Sequence, residues 1–426
     1  MQRFTGILGI IFFIGIAYLL SNNRRKINWR AVIWGFGLQL IFALLILKTR
    51  PGEWVFEEIN DIVMAILKCT EAGSGFVFGN LINKFVPVGN LDPSSGAFSP
   101  TGTLVVNNGM AFFAFNVLPT IIFFSSLMTV LYHYGIMQRL VLWIAKIMAK
   151  TMKTSGSESL SCAANIFVGQ TEAPLLVKPF VKTMTMSELT AVMTGGFATI
   201  AGGVLAAYVG LLKASVPNIA GHLVAASVMS APAALMMAKI IYPETEKSAT
   251  AGRVDIKIEK IDKNGIDAAS RGAADGLRLA LNVAAMLIAF LALVALVNVI
   301  LGLINDKLTL AFIFGKIFSP IAFLMGVPWK DAANFGDLLG TKVMINEFVA
   351  YLKLQSIAGS LDPRSKVIAA YALCGFANLG SIGIQIGGIG GIAPSRRSDL
   401  AKLGVRALMA GAFASFTTAC IAGILI

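Results

Sequence analysis

Residues 165–179 read NIFVGQTEAPLLVKP, setting an amide, a hydroxyl and a carboxylate side by side at Gln170, Thr171 and Glu172 and following them with Pro174 and Pro179. A second carboxylate, Glu347, stands beside Asn346 in GTKVMINEFVAY, residues 340–351. A carboxylate and an amide suit a neutral solute rich in hydroxyls, while Gln and Thr offer donors and acceptors to a planar polar edge. Proline and glycine remove or loosen helical hydrogen bonds, and the carbonyls they free can coordinate a cation. Binding of a small polar solute together with an ion is therefore the chemistry these residues suggest.

The rest of the chain is the wrong solvent for them. Hydrophobic residues make up 56% and charged residues 13%, with a mean hydropathy of +0.77, against roughly 45–50% and about 25% in soluble domains. The composition is that of an integral membrane protein. A carboxylate inside a membrane segment costs about 2.5–3.5 kcal/mol by insertion scales and marks a functional site by default. The alternative for Glu172 and Glu347 is a structural ion pair with Lys178 or Lys342. Lys178, next to Pro179, reads as a snorkelling residue near a hairpin end.

Several other chemistries are excluded by spacing. The formal charge of +13 does not indicate nucleic acid, because the basic residues sit in short loops between apolar runs and not on one face of a soluble domain. Cys69, Cys162, Cys374 and Cys420 and the two histidines form no CxxC or HExxH pattern, so no disulfide framework or metal centre is expected. An intramembrane hydrolase needs a nucleophile and a base within reach of each other, and neither His133 nor His222 lies near the polar clusters. GIGGIA at 388–393 fits G-x-G-x-x-A, but it ends an apolar span and lacks the strand–turn–helix setting of a dinucleotide site.

Runs of about 20 mostly apolar residues, the length of a spanning helix, fall near 4–20, 31–48, 110–132, 189–213, 218–241, 280–303, 365–392 and 403–426. The first has no small-residue cleavage site and is followed by Arg24, Arg25 and Lys26, so it is expected to be retained as a span. Basic loops follow the first, third, fifth and seventh spans, which predicts those loops inside and both termini outside. PGEWVFEEINDIVMAILK, acidic and amphipathic, is expected as an interfacial helix on the outer side. Segments 150–182 and 308–352 are apolar but interrupted, as suits hairpins that enter the bilayer and turn back where protein or a wet cavity covers the backbone.

The two hairpins each carry a buried Glu and each precede a glycine-rich span: GQTE before TGGFATIAGGV at 194–204, and NEF before CGFANLGSIGIQIGG at 374–388. Entering from opposite sides, they form an inverted repeat, a recurring layout of secondary transporters whose broken helices line a midplane site. The expected fold class is an all-α integral membrane protein of eight transmembrane helices with two re-entrant hairpins and interfacial helices. Its divisions are a mainly scaffold part at 1–135, a first transport repeat at 136–241, a cytoplasmic charged loop, interfacial segment and scaffold span at 242–303, and a second transport repeat at 304–426. A channel built from the same hairpins is the rival reading.

GQTEAPLLVKP, GTKVMINEFVAY, DAASRGAADGLRLALNVAAMLIAFLAL at 267–293 and ALCGFANLGSIGIQIGG at 372–388 together resemble the concentrative nucleoside transporters, in particular their bacterial sodium-coupled branch. The resemblance implies a homotrimer in the bacterial inner membrane, with no organic cofactor, moving one nucleoside such as uridine or adenosine inward with Na+ by an elevator motion. It implies that Gln170, Thr171 and Glu172 face the nucleobase, with Gly169 exposing its backbone at the hairpin tip and Val204 against the ring. Glu347, Asn378 and Ser381 would hold the ribose and Phe376 would line the pocket. Na+ would sit between Asn165, the carbonyls of Val168 and Ile200, and the hydroxyl of Thr199, where the family has Ser. Coupling to protons is the alternative within the family, since Glu172 and Glu347 titrate.

Overall fold

The computed structural model describes residues 2–82, 85–95, 98–105, 113–252 and 262–426. The start of the expected third span, 110–112, and residues 253–261 of the charged loop lie outside the described residues.

Helix α1 covers Gln2–Leu19. Asn28 starts α2 (Trp29–Lys48) by accepting from the backbone N–H of Arg30. Thr49 does the same for α3 (Arg50–Phe78), whose first turn holds a proline, the position where a missing N–H costs least. Helix α3 is amphipathic as expected of the interfacial segment, burying Val63, Leu67, Thr70 and Ser74. It is followed by an antiparallel hairpin, β1 (Phe85–Leu91) with β2 (Phe98–Val105). This hairpin departs from the all-α expectation, and its turn is closed by Asp92 accepting from the backbone and hydroxyl of Ser94.

A π-turn at Phe113–Val117 leads into α4 (Leu118–His133) and then α5 (Ile136–Met152). Helix α6 (Gly156–Ala164) opens with a capping box between Ser155 and Glu158, and a 3-10 turn at Ala173–Val177 runs into the short α7 (Lys178–Val181). The same device, Thr185 with Glu188, starts α8 (Met186–Ala198). After a break at residues 199–201 come α9 (Gly202–Leu212) and α10 (Ile219–Ile241). Helix α11 runs unbroken over Gly265–Gly302, so the expected interfacial segment ahead of the span at 280–303 is its first turns.

The segment 308–352 holds more than a hairpin: α12 (Leu310–Leu324), α13 (Trp329–Met344) and α14 (Glu347–Ile357), with α12 and α13 set at 116° to each other. Gly326, at φ 90°, lies between them. The expected span at 365–392 is two half-helices, α15 (Pro363–Leu373) and α16 (Leu379–Ile392). Helix α17 (Arg397–Leu425) closes the chain. Among the described residues six helices are long and apolar enough to cross a membrane, or seven if the bent pair counts as one, where eight spans are read from sequence; α1 and α16 are apolar but shorter.

In its most apolar 18-residue stretch the broken span α8–α9 has 83% of its residues buried, α10 89% and the closing span that ends with α17 78%, against 6% for α11. The broken span α8–α9 is therefore inside protein, where free backbone groups find partners, and α11 presents much of its apolar surface outward.

Candidate functional site

The two breaks meet in the middle of the molecule. At the second, Gly375 has φ 124°, a conformation that favours glycine, and a Cβ there would stand 2.8 Å from the carbonyl oxygen of Phe197. The next residue, Phe376, donates its N–H to the carbonyl of Thr199 at 3.3 Å, tying one break to the other. Asn378 then caps α16, accepting from Ser381 N at 2.8 Å, and Asn346 caps α14 in the same way through Val349 N.

Around this crossing lies a cavity of about 370 Å³, within the usual range of small-molecule sites. Gly169, Gln170, Thr171, Glu172 and Val204 line it from segment 136–241, and Glu347, Phe376, Asn378 and Ser381 from segment 304–426. All nine residues singled out by the sequence for solute contact thus border one space. Within it they fall into two polar groups. Glu347 accepts from Tyr208 Oη at 2.8 Å and from Asn378 Nδ2 at 3.0 Å. Gln170 donates to Ser381 Oγ at 3.2 Å and accepts from Gln385 Nε2 at 3.0 Å, so Ser381 is joined to Gln170 and not to Glu347. Gln385 is held in turn by the carbonyl of Met193 at 3.0 Å.

The structural ion pairs weighed for the two carboxylates do not form. Glu172 accepts from the N–H of Gly169, and Lys342 donates to the carbonyl of Ala372. The same Gly169 bond corrects one expectation, because Gly169 is buried and its N–H is taken by the carboxylate three residues on, which closes the turn locally. Thr171 packs on Gly388, where a Cβ would come within 2.9 Å of its methyl. GIGGIA is accordingly the end of α16 and its cap, with glycine serving close approach. His222 meets the hydroxyl of Tyr371 at 3.1 Å and packs edge-on against Phe56, which is a packing role.

Sequence reasoning did not single out Tyr208, Gln385, or the wall that α11 contributes through Leu279, Asn282, Val283, Met286 and Leu287. Gln385 and Asn282 carried a signal, each being a lone amide in an apolar run; Tyr208 reads as an ordinary core aromatic.

A second set of oxygens lies at the end of α6 and the break after α8. Asn165 is 1% exposed, donates its amide to Ser161 O at 3.0 Å, and leaves Oδ1 buried with no donor, as is Ser161 Oγ. Thr199 donates to Gly195 O at 2.9 Å, keeping its lone pairs free, and a Cβ on Gly195 would lie 3.4 Å from the Asn165 amide. Among the described residues the carbonyls of Val168 and Ile200 accept no hydrogen bond. Donor-poor buried oxygens of this kind fit a hard cation without carboxylate ligands; among the described residues no cluster of His, Cys, Asp and Glu offers the usual metal site.

Comparison with known proteins follows the same map. The model described as Na+ dependent nucleoside transporter C-terminus matches residues 222–423, its N-terminus counterpart residues 8–81, and a nucleoside recognition "Gate" model residues 114–215. A protein of Haemophilus influenzae described as an uncharacterized transporter is 44% identical, covering 100% of this chain and 98% of its own. Sodium/nucleoside cotransporter 1 of Mus musculus is 42% identical over 100% of this chain. The chain spans 64% of the length of that mouse relative. The solved structure of CNTnw in an inward-facing substrate-bound state superposes with a TM-score of 0.87 at 41% identity, covering 100% of this chain and 98% of that one.

Proposed function

Because this chain belongs to the Na+ dependent nucleoside transporter family, a family of multi-pass membrane transporters and not of enzymes, we propose that it is a sodium-coupled symporter that carries nucleosides inward across the bacterial inner membrane. The observation that carries the reading is the division of the cavity into two polar groups. The Glu347 carboxylate, with Asn378, suits neighbouring ribose hydroxyls, and the Gln170 amide, with Thr171 and Glu172, suits the edge of a base. Val204 and Phe376 supply apolar surface for the ring face. Asn165, Thr199 and the carbonyls of Val168 and Ile200 hold Na+, beside the turn that presents Gln170.

In this reading the hairpins and broken helices travel as one unit against a scaffold that includes α4 and α11, an elevator motion. Residues 1–135 and 242–303 belong mainly to the scaffold, and 136–241 and 304–426 to the two transport repeats. The outward apolar face of α11, with Ile288, Leu293 and Val299 exposed, is surface for lipid or for a neighbouring protomer of a homotrimer. The basic loops inside put both termini in the periplasm.

The deciding experiment is uptake of labelled uridine and adenosine into proteoliposomes under an inward Na+ gradient, with choline in place of Na+ as the comparison. Accumulation above the external concentration that collapses in choline is expected. Equal uptake in choline driven by an imposed pH gradient would replace Na+ by H+, and uptake that never exceeds equilibrium would make the protein a channel.

A further inference from the structure

We propose that the ammonium of Lys342 is a tethered cation that does for the broken helix of the second repeat what Na+ does for the first, so that each protomer takes up a single external cation. The proposal rests on the sodium reading above for the first repeat and adds a role for a residue outside both polar groups.

The two repeats can be laid on each other residue by residue. Glu172 precedes Ala198, the end of α8, by as many residues as Glu347 precedes Leu373, the end of α15. Helix α6 then corresponds to α13, α8 to α15, and the break at Thr199 to the break at Cys374. In each repeat the first arm of the hairpin lies against the half-helix that ends at the break. The contact differs in sign between the two. In the first it presents oxygens without donors, Asn165 Oδ1 and Ser161 Oγ. In the second it presents an ammonium donor, with the Glu347 carboxylate in its field but beyond ion-pair distance.

Lys342 lies in the last turn of α13 and is fully buried. Its Nζ donates to Ala372 O at 2.7 Å and lies 5.5 Å from the ring centroid of Phe416. No carboxylate stands at ion-pair distance from it among the described residues. Burying an ammonium against one carbonyl and one ring is expensive, so packing alone is a poor reason to keep it there.

Its position gives the better reason. A helix that stops inside protein leaves its last carbonyls without partners and the negative end of its dipole unscreened. At the end of α15 three of the last four carbonyls are taken: Ala370 O by the phenol of Tyr351 at 2.8 Å, Tyr371 O by Cys374 N at 3.2 Å, and Ala372 O by Lys342. The positive charge is already in place, so no diffusible ion is called for. At the end of α8 the cap is made of neutral groups, with Ser415 donating to Ala198 O at a long 3.4 Å and Phe376 N to Thr199 O at 3.3 Å. A positive charge there has to be supplied from solution.

The test counts Na+. Equilibrium binding of radioactive Na+ to purified protein, and the ratio of Na+ to uridine moved in proteoliposomes, are each expected to give one per wild-type protomer. Lys342→Asn, which exchanges the cation for an oxygen, is expected to bind two and to move two. Lys342→Arg, which keeps the charge, is expected to stay at one. Lys342→Met, near in length and unable to carry or ligate a charge, is expected to lose uptake at least tenfold while eluting as the wild-type assembly. A wild-type ratio above one overturns the proposal and needs no variant. So does a folded Lys342→Asn that binds only one Na+, or a Lys342→Met with wild-type uptake. Asn165→Ala keeps the two readings apart: if it still binds Na+ as the wild type does, the first-repeat site is wrong, while the Lys342→Asn count still judges Lys342.

Discussion

The phenol of Tyr208, on α9, donates at 2.8 Å to Oε1 of Glu347, at the start of α14. The Tyr208 ring is fully buried, with its centroid 4.4 Å from that of Tyr351 and edge-on to Phe348. Asn378 donates to the other oxygen at 3.0 Å. Each carboxylate oxygen keeps a lone pair for a further donor, and the two bonds fix how those lone pairs face the cavity. Pre-set acceptors are what a site needs if solute hydroxyls are not to spend binding energy on ordering it.

Glu347→Gln is expected to lower uridine uptake tenfold or more with the folded assembly intact. The amide replaces an acceptor oxygen by a donor, hydrogen bonds to a charged group contribute roughly 1.5–3 kcal/mol, and about 1.4 kcal/mol is a factor of ten. Tyr208→Phe, which removes only the orienting bond, should weaken affinity less and leave the maximal rate closer to wild type. Competition by nucleosides lacking ribose hydroxyls is the check: they should compete poorly with the wild type and lose little further in Glu347→Gln.

At the other polar group, Gln170→Ala and Thr171→Ala are expected to reorder the preference among nucleosides as well as to lower uptake. A base edge that loses its partner leaves a buried polar group unpaired, at about 1–3 kcal/mol, and different bases lose different partners. A panel of purine and pyrimidine competitors measures this. One common factor for every substrate would mean that the pair acts on folding or on ion binding.

These residues were legible because membrane burial makes any amide or carboxylate conspicuous: GQTE, NEF, Asn165 and Asn378 all stand out against apolar neighbours, and the glycine-rich runs announce the breaks. Tyr208 does not stand out, since a tyrosine within VLAAYVGLL is compatible with plain packing until its hydroxyl is seen to reach Glu347. The α11 wall escaped for a related reason: nothing in ALNVAAMLIAF tells which side of a mostly exposed helix faces a cavity. The hairpin β1–β2 follows the amphipathic helix α3 in a stretch that hydropathy does not resolve. The division of 308–352 into three helices depends on the sharp turn at Gly326, and glycine there gives no angle from sequence alone.

A stability prediction follows from the buried cluster at the start of α6 and α8. Lys239 meets Glu158 Oε2 at 2.7 Å and Glu244 at 3.5 Å, and donates to Ser187 at 2.9 Å. Lys239→Met strands the Glu158 carboxylate, and removing one partner of a buried pair costs roughly 3–5 kcal/mol. Thermal unfolding in detergent should show a clear drop for this variant. Adding Glu158→Gln to it should recover part of the loss, which simple loss of packing volume would not allow.

The turn at Asp92, in the hairpin β1–β2, offers a pH test outside the apolar helices. Hydrogen bonds from the hydroxyls of Ser94 and Ser95 and the N–H of Ser94 hold its carboxyl down to about 2. A depressed carboxylate contributes to the turn at any pH above the unfolded value of about 3.9 and stops contributing as pH falls through about 2. Carboxyl titration by NMR in nanodiscs should give a midpoint near the lower figure, and the double substitution Ser94→Ala, Ser95→Ala should raise it toward the ordinary value.

The proposed Na+ site is expected to answer to two residues unequally. Asn165 Oδ1 and Ser161 Oγ are both buried without a donor, but Asn165 also braces the end of α6 through Ser161 O. Na+ needs neutral oxygens and no titratable ligand, so neither substitution should shift the pH dependence of uptake. Asn165→Ala removes an oxygen and the brace together, and should raise the Na+ concentration for half-maximal uptake by tenfold or more. Ser161→Ala removes one oxygen only, and should raise it less while leaving nucleoside affinity at saturating Na+ unchanged. Uptake by both variants with the wild-type Na+ dependence would remove Asn165 from the site and leave its orphaned oxygen without a function.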